Sequence, residues 1–328
     1  MVGKSLRYLL RINIKLMYRI LIYLIIVFAC DVQAQEKLNI FHVVDSISKK
    51  PIRSASVTLI RAKLSMSTES DGIFIIPGNL KLLKDSVIIY SQGYGVFKTL
   101  LNRMDGMDSI KLAKQQFKLD AIDLTGKQES ILNPFKVKDV DRFTGINTTT
   151  TPFEYLQLAQ QFYLIKPGAQ ITKVKIRRLA FSNIDYSNIV SYKGIDYVQF
   201  RIRFYAADSL KPGPGREICT EIVELSDRDN QQISVDVEKY HIMVPGKSFF
   251  IAVEWIKDFV NQGFSNVFDR KTYSLKQSVN FRPAIGILNK RGNQLNIWSL
   301  NLKRQWKPFT YYAPYFTDLA ITAIVMQE

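Results

Sequence analysis

The sequence predicts an all-β chain: a small seven-strand sandwich followed by a larger antiparallel β-sandwich of jelly-roll type. Three observations carry this. Apolar and polar residues alternate with period two through both halves, as where Val198, Phe200, Ile202 and Phe204 interleave with Gln199, Arg201 and Arg203, the pattern of strands that bury one face. Turn residues punctuate the first half at roughly the spacing of short sandwich strands. Residues that favour strands are abundant, including 20 Phe and 16 Tyr in 328 residues.

The chain opens on a segment read as a leader. Lys4, Arg7, Arg11, Lys15 and Arg19 make a basic n-region, Ile20 to Ala29 an apolar h-region, and Val32-Gln33-Ala34 a small-residue cleavage site before Gln35. Residues 1–34 are therefore expected to be a signal peptide, and the protein to be exported to the periplasm, outer membrane or cell surface. Two alternatives stay open. Residues 16–29 are an inner-membrane anchor if cleavage fails, and Val27-Phe28-Ala29-Cys30 resembles a lipobox that would place a lipid on Cys30. Removing the leader takes away five positive charges and Asp31, leaving +12 of the formal +16. That charge is spread over both halves, whereas a nucleic-acid footprint is concentrated. Anionic glycans or lipid headgroups suit a dispersed basic surface on an exported protein. After cleavage Cys219 is the remaining cysteine, in an alternating stretch that suits a small buried residue.

In the first half the expected strands are Leu38–Val44, Ala55–Ile60, Leu64–Thr68, Ile73–Ile76, Asp85–Tyr90, Val96–Leu101 and Ser109–Leu112. Ser70-Asp71-Gly72 closes a hairpin, with Gly72 supplying a positive φ. Five fragments then occur in order: Val43-Val44-Asp45; Pro51-Ile52-Arg53-Ser54-Ala55-Ser56-Val57; Thr68-Glu69-Ser70-Asp71-Gly72-Ile73-Phe74; Tyr90-Ser91-Gln92-Gly93-Tyr94; and Leu119-Asp120-Ala121-Ile122-Asp123-Leu124. Together they resemble the carboxypeptidase regulatory-like domain of Bacteroidota surface proteins, a prealbumin-like sandwich. The resemblance covers about a quarter of the chain. It departs at Phe41, where the family usually carries glycine. It implies a structural or adaptor module for residues 35–124.

Residues 125–152 show no periodicity and read as a linker, rich in Thr around Asn147-Thr148-Thr149-Thr150-Thr151-Pro152. Residues 153–165 fit helix and strand templates equally. From there to 328, Val174 and Ile176, Val198 to Phe204, Ile233 to Val237, Phe249 to Trp255 and the apolar run 320–325 read as strands of the second sandwich.

Catalytic chemistry finds little footing. His42 and His241 are the two histidines, and neither begins a His-x-x-Glu zinc pattern. Gly246-Lys247-Ser248 lacks the upstream glycine of a phosphate loop and reads as a turn, as does Pro212-Gly213-Pro214-Gly215. Glu221, Glu224, Asp236, Glu254 and Asp258 are the carboxylates that a glycosidase reading would need in pairs. Glu254 lies opposite Val253 and Trp255, on what reads as a solvated strand face. No catalytic, metal or cofactor residue is assigned. The four triplets beginning at Asp45, Asp85, Asp108 and Asp208 resemble the Asp-Ser-apolar O-glycosylation acceptor of Bacteroidota, and equally suit strand ends.

Aromatic residues give the functional expectation. Trp298, Trp306, Tyr311, Tyr312 and Tyr315 crowd the last thirty residues with Lys303, Arg304 and Lys307. Aromatic faces beside polar groups suit sugar rings. The expected function is non-enzymatic: an envelope protein that binds a glycan or a protein partner, with no cofactor and no nucleic acid. The alternatives are a glycan-active hydrolase on the second sandwich, and an accessory of TonB-dependent uptake, which the family resemblance suggests.

Overall fold

A computed structural model describes residues 38–78, 80, 84–107, 109–115, 128–147, 153–179, 189–192, 197–219, 221, 223–228, 231–258, 261–269 and 273–327. The expected leader with Cys30, the expected exit strand at 119–124 and Asp108 lie outside these residues. The chain divides into two compact units, residues 1–40 with 75–82 and residues 41–74 with 83–328. In the described part of the first, Asn39 donates to the Ile76 carbonyl at 3.2 Å. The second holds most of the described residues. The described residues form strands and short 3-10 turns, with no α-helix among them.

Among the described residues seven strands precede residue 113: β1 (Leu38–Asp45), β2 (Ser56–Leu59), β3 (Leu64–Ser67), β4 (Ile73–Pro77), β5 (Ser86–Tyr90), β6 (Phe97–Leu100) and β7 (Ile110–Leu112). They make two sheets, ordered β4-β1-β7 and β3-β2-β5-β6. β1 runs parallel to β7, with Val43 opposite Ile110, and the pairs within the second sheet are antiparallel. The alternation read from the sequence is the burial pattern: Phe41, Val43, Val57, Leu59, Val87 and Ile89 are buried, while His42 faces outward. Phe41 is accommodated by a stack on Phe74, ring centroids 5.3 Å apart, so an aromatic pair fills the place of the expected glycine.

Two of the five fragments meet at Asp45. Its Oδ1 accepts from the Ile47 and Ser48 amides at 2.9 and 2.7 Å, and its Oδ2 accepts from the Tyr94 hydroxyl at 3.1 Å. These donors, the Ser48 amide first, hold its carboxyl down from 3.8 to about 2. A depressed carboxylate stabilises the fold above its unfolded pKa and loses that contribution as pH falls through the folded value. Acid denaturation should therefore show a limb between 3.8 and about 2 that Asp45→Asn flattens, read by fluorescence-monitored stability against pH. Asp85 is the same device, accepting from the Arg61 and Ala62 amides at 2.8 and 2.9 Å, and Asp208 accepts from the Leu210 amide at 2.9 Å. At these three positions the Asp of the Asp-Ser triplets ties down its own or a nearby turn.

The remaining strands are β8 (Gln128–Leu132), β9 (Val140–Asn147), β10 (Tyr155–Tyr163), β11 (Gln170–Arg177), β12 (Ile189–Tyr192), β13 (Tyr197–Ala207), β14 (Pro214–Glu217), β15 (Val223–Arg228), β16 (Gln232–Asp236), β17 (Ile242–Met243), β18 (Ser248–Trp255), β19 (Gln262–Asp269), β20 (Ser274–Leu288), β21 (Ile297–Asn301), β22 (Trp306–Pro308), β23 (Asp318–Leu319) and β24 (Ile321–Gln327). One sheet runs β14-β13-β18-β10-β21-β22 with β15 also on β13; a second runs β16-β11-β24-β8; a third runs β12-β19-β20-β23 with β9 on β20. Phe200, Phe204, Ile251 and Val253 of the first sheet share one buried core with Ile171, Val174, Ile321 and Ala323 of the second, a sandwich.

Two expectations are corrected. Residues 125–152 are not a linker throughout: β8 pairs with β24, placing Leu132 opposite Ala323, and β9 pairs with β20. Alternation fails to announce β9 because its pairing is interrupted by register shifts. Glu254 is not solvated but 4% exposed. The face of β13 and β18 that turns away from the core is covered in part by Ser54 and Tyr90 of the first half and in part by Trp298 and Trp306. Arg203 Nη1 donates to Glu254 at 2.7 Å, its Nε and Nη2 donate to Glu217 at 2.6 and 2.8 Å, and it also bonds the Tyr90 hydroxyl. Arg201 Nη1 donates to the Ser54 carbonyl at 2.7 Å, and the guanidinium lies 3.6 and 3.8 Å from Glu224 and Glu254. The ambiguous segment at 153–165 is the central strand β10. Both its faces are buried, Gln157 and Gln160 included, so its polar residues do not mark a wet side that would reveal its period.

Candidate binding site

A cleft of about 260 Å³ opens where β9, β20 and the segment after β22 converge. Phe143, Phe153, Phe281 and Tyr312 give it aromatic walls, and Thr144, Asn280 and Arg282 bring polar groups. Phe143 and Thr144 are there because β9 lies along β20, with Phe143 opposite Gly286. Phe153 stands just before β10 and is held by edge contacts to Tyr311 at 4.9 Å and to Phe309 at 6.3 Å. Tyr312 is fixed in turn by Tyr311 at 4.8 Å and by the buried Phe309 at 5.7 Å. Arg142 stacks over Phe316 at 3.9 Å and reaches Tyr312 at 5.7 Å.

Beneath the cleft, Tyr155 donates to the Gly145 carbonyl at 2.9 Å and packs edge-on against Trp255 at 5.5 Å. Trp255 Nε1 donates to the Pro283 carbonyl at 2.7 Å. These bonds bind β9 and β20 to the central sheet, so the floor is rigid. Burial raises the Tyr312 phenol above its usual pKa, and a hydrogen bond with Thr144 opposes that shift. The phenol is therefore neutral at physiological pH, able to donate and to accept.

The five aromatics singled out in the sequence do not form one platform. Tyr312 lines the cleft, and Tyr311 supports it through ring contacts to Phe153 and Tyr312. Trp298 is 8% exposed, edge-on to Phe250 at 6.1 Å, on the opposite face of its sheet. Trp306 lies against Tyr205 at 5.3 Å, packed on the same apolar group as Trp298. Tyr315 is exposed, with the Arg291 guanidinium 4.4 Å above its ring. Sequence reasoning missed Phe143, Asn280, Phe281 and Arg282. Phe143 sat in the supposed linker, and residues of β20 look no different from ordinary core.

Glu217, Glu224 and Glu254 converge, but on two guanidinium groups. Despite burial, Arg203 and Arg201 hold the Glu254 carboxyl below its usual value. Among the described residues the raised carboxyls are Glu69 and Asp258, both pushed up first by burial. Neither lines the cleft. His42 and His241 are exposed, no group of three or more metal-ligating side chains occurs among the described residues, and burial pushes the Cys219 thiol up to about 11.

No family model and no curated protein matches the chain. Among solved structures it is similar to a Bacteroides uniformis protein to which carbohydrate binding has been attributed, at 8% identity and a TM-score of 0.16, over 76% of this chain and 98% of that one. It is also similar to a structure of the Gt strain of infectious bursal disease virus, at 9% identity and a TM-score of 0.20, over 89% of this chain and 60% of that one. Overlaps this low do not bear on function.

Proposed function

We propose that the protein is a non-enzymatic, exported binding module of the cell envelope, and that the aromatic cleft holds a glycan. The observation that carries this is the joining of Phe153 and Tyr312 walls with Thr144, Asn280 and Arg282 in one concavity over a rigid floor. Aromatic faces take the C–H side of a sugar ring while neighbouring polar groups take its hydroxyls. The family resemblance of the first module adds an adaptor role and supports export. A hydrolase reading has less support, because an inverting or retaining glycosidase needs a carboxyl kept protonated beside a second carboxylate in the cleft. The convergent carboxylates here are already paired with arginine.

A glycan array with the purified protein tests the proposal. Binding to at least one glycan is expected, without release of reducing ends. Phe153→Ala and Tyr312→Ala should each weaken it about tenfold or more, from about 1–2 kcal/mol of lost stacking. Trp306→Ala, outside the cleft, should leave affinity unchanged. Absent binding, or an equal loss with Trp306→Ala, rules the cleft out as the glycan site.

A further inference from the structure

A second cavity, of about 250 Å³, lies on the other side of Ile146 and Phe281, residues that line both spaces. Its walls are largely apolar, with Leu64, Val279 and Leu302 facing the same space. Three charged groups line it: Lys63 from the β2–β3 hairpin, Glu154 from the approach to β10, and Lys257 just after β18. Lys63 and Glu154 satisfy one another at 3.4 Å, with the lysine side chain 61% exposed at the rim. That leaves Lys257. Its ammonium lies 5.8 Å from the Phe281 ring, and no acceptor within hydrogen-bond or ion-pair reach is found for it among the described residues. Ser65, which also lines the cavity, has a buried hydroxyl with no hydrogen-bond partner among the described residues.

A half-buried cation lining an apolar chamber that also holds a buried, unsatisfied hydroxyl leaves both groups short of a partner. We propose that this cavity is a binding site for a small organic monocarboxylate with an apolar body, its carboxylate on Lys257 and Ser65 and its hydrocarbon against Leu64, Val279 and Phe281. One uncompensated positive charge calls for one negative charge. The volume is below the roughly 300–1,000 Å³ of drug-sized pockets, so the ligand is short. The site is independent of the glycan cleft, although the two share a wall.

The chemistry predicts a pH dependence. Burial pushes the Lys257 ammonium down to about 8, opposed by Glu154. The other charged group lining the cavity is Lys63. The ammonium is the form that binds. Affinity should therefore be flat below about pH 7 and fall by about tenfold per pH unit above the free-site value.

Isothermal titration of the full protein with hexanoate, and with hexanamide as its neutral counterpart, tests this. Hexanoate should bind at least tenfold more tightly than hexanamide at pH 6.5, roughly, and only hexanoate should show the pH limb. Lys257→Met, close in shape, should remove the preference for hexanoate. Glu154→Gln, which frees Lys63, should strengthen it. Equal affinity for the two probes, no detectable binding of either, or a hexanoate affinity that ignores pH would each overturn the proposal and leave a solvent-filled chamber. The wild-type comparison of probes and pH decides the matter even if Lys257→Met fails to fold.

Discussion

Replacing Arg203 with methionine should cost about 3–5 kcal/mol of unfolding free energy, among the largest losses any single change in this chain produces. The Arg203 side chain is fully buried, and three partners use its donors: Glu254, Glu217 and the Tyr90 hydroxyl. Burial works against the charge, yet Glu254, Tyr90 and Glu217 hold the guanidinium well above its usual pKa. Methionine fills much of the volume but strands two carboxylates. The penalty of the substitution is chiefly the cost of the charges left behind, not the net worth of the pairs. It follows that Arg203→Met combined with Glu217→Gln and Glu254→Gln should recover a large part of the loss. Urea unfolding of the single and triple variants measures this. A single variant within about 1 kcal/mol of wild type would mean that water already enters the junction.

Gly72→Ala should cost about 2–4 kcal/mol. Gly72 has φ +76°, and a Cβ there would stand 2.6 Å from the Val43 carbonyl oxygen. That carbonyl belongs to the backbone of β1 and accepts from the Ile52 amide at 2.9 Å, while the Val43 amide donates to the Gly72 carbonyl at 2.9 Å. Neither side can give way without opening the sheet. Gly106 makes a matched control: φ is +77°, and nothing lies within 4 Å of where its methyl group would stand. Gly106→Ala therefore isolates the backbone term, about 1 kcal/mol. Thermal melts of the two variants should differ clearly; similar melting points would show that β1 yields to the methyl group.

How far the sequence reveals this molecule depends on which face of a strand is covered. Where one face is buried, as along β1 and β11, alternation marked the strands. Where both are buried it did not. β10, β13 and β18 all show polar residues on faces that are not wet, Gln157 of β10 standing opposite Glu254. A sign of this was present: Phe250 and Ala252 stand on the supposedly solvated face of β18, and both are fully buried. A strand that carries Phe, Ala and Glu on its outer side is a covered strand with an ion pair, and Arg201 and Arg203 on the adjacent strand supply the partner. The Asp-Gly hairpin and the Gly-Tyr fragment were legible because a positive φ and a buried hydroxyl leave few residue choices. The aromatic cleft was half legible. Tyr312 stood out by local crowding, whereas Phe143 and Phe281 come together only through the long-range pairing of β9 with β20.

The charged junction on β13 and β18 also restricts what can be exchanged in evolution or by design. A sandwich joined to its neighbour by grease alone can be swapped for another of like shape. Here a transplanted partner that lacks a counterpart to Tyr90 and the Ser54 carbonyl would leave two guanidinium groups partly unanswered in a dry seam. The two halves are thus matched by charge as well as contour, and chimeras should succeed only when the seam travels with them.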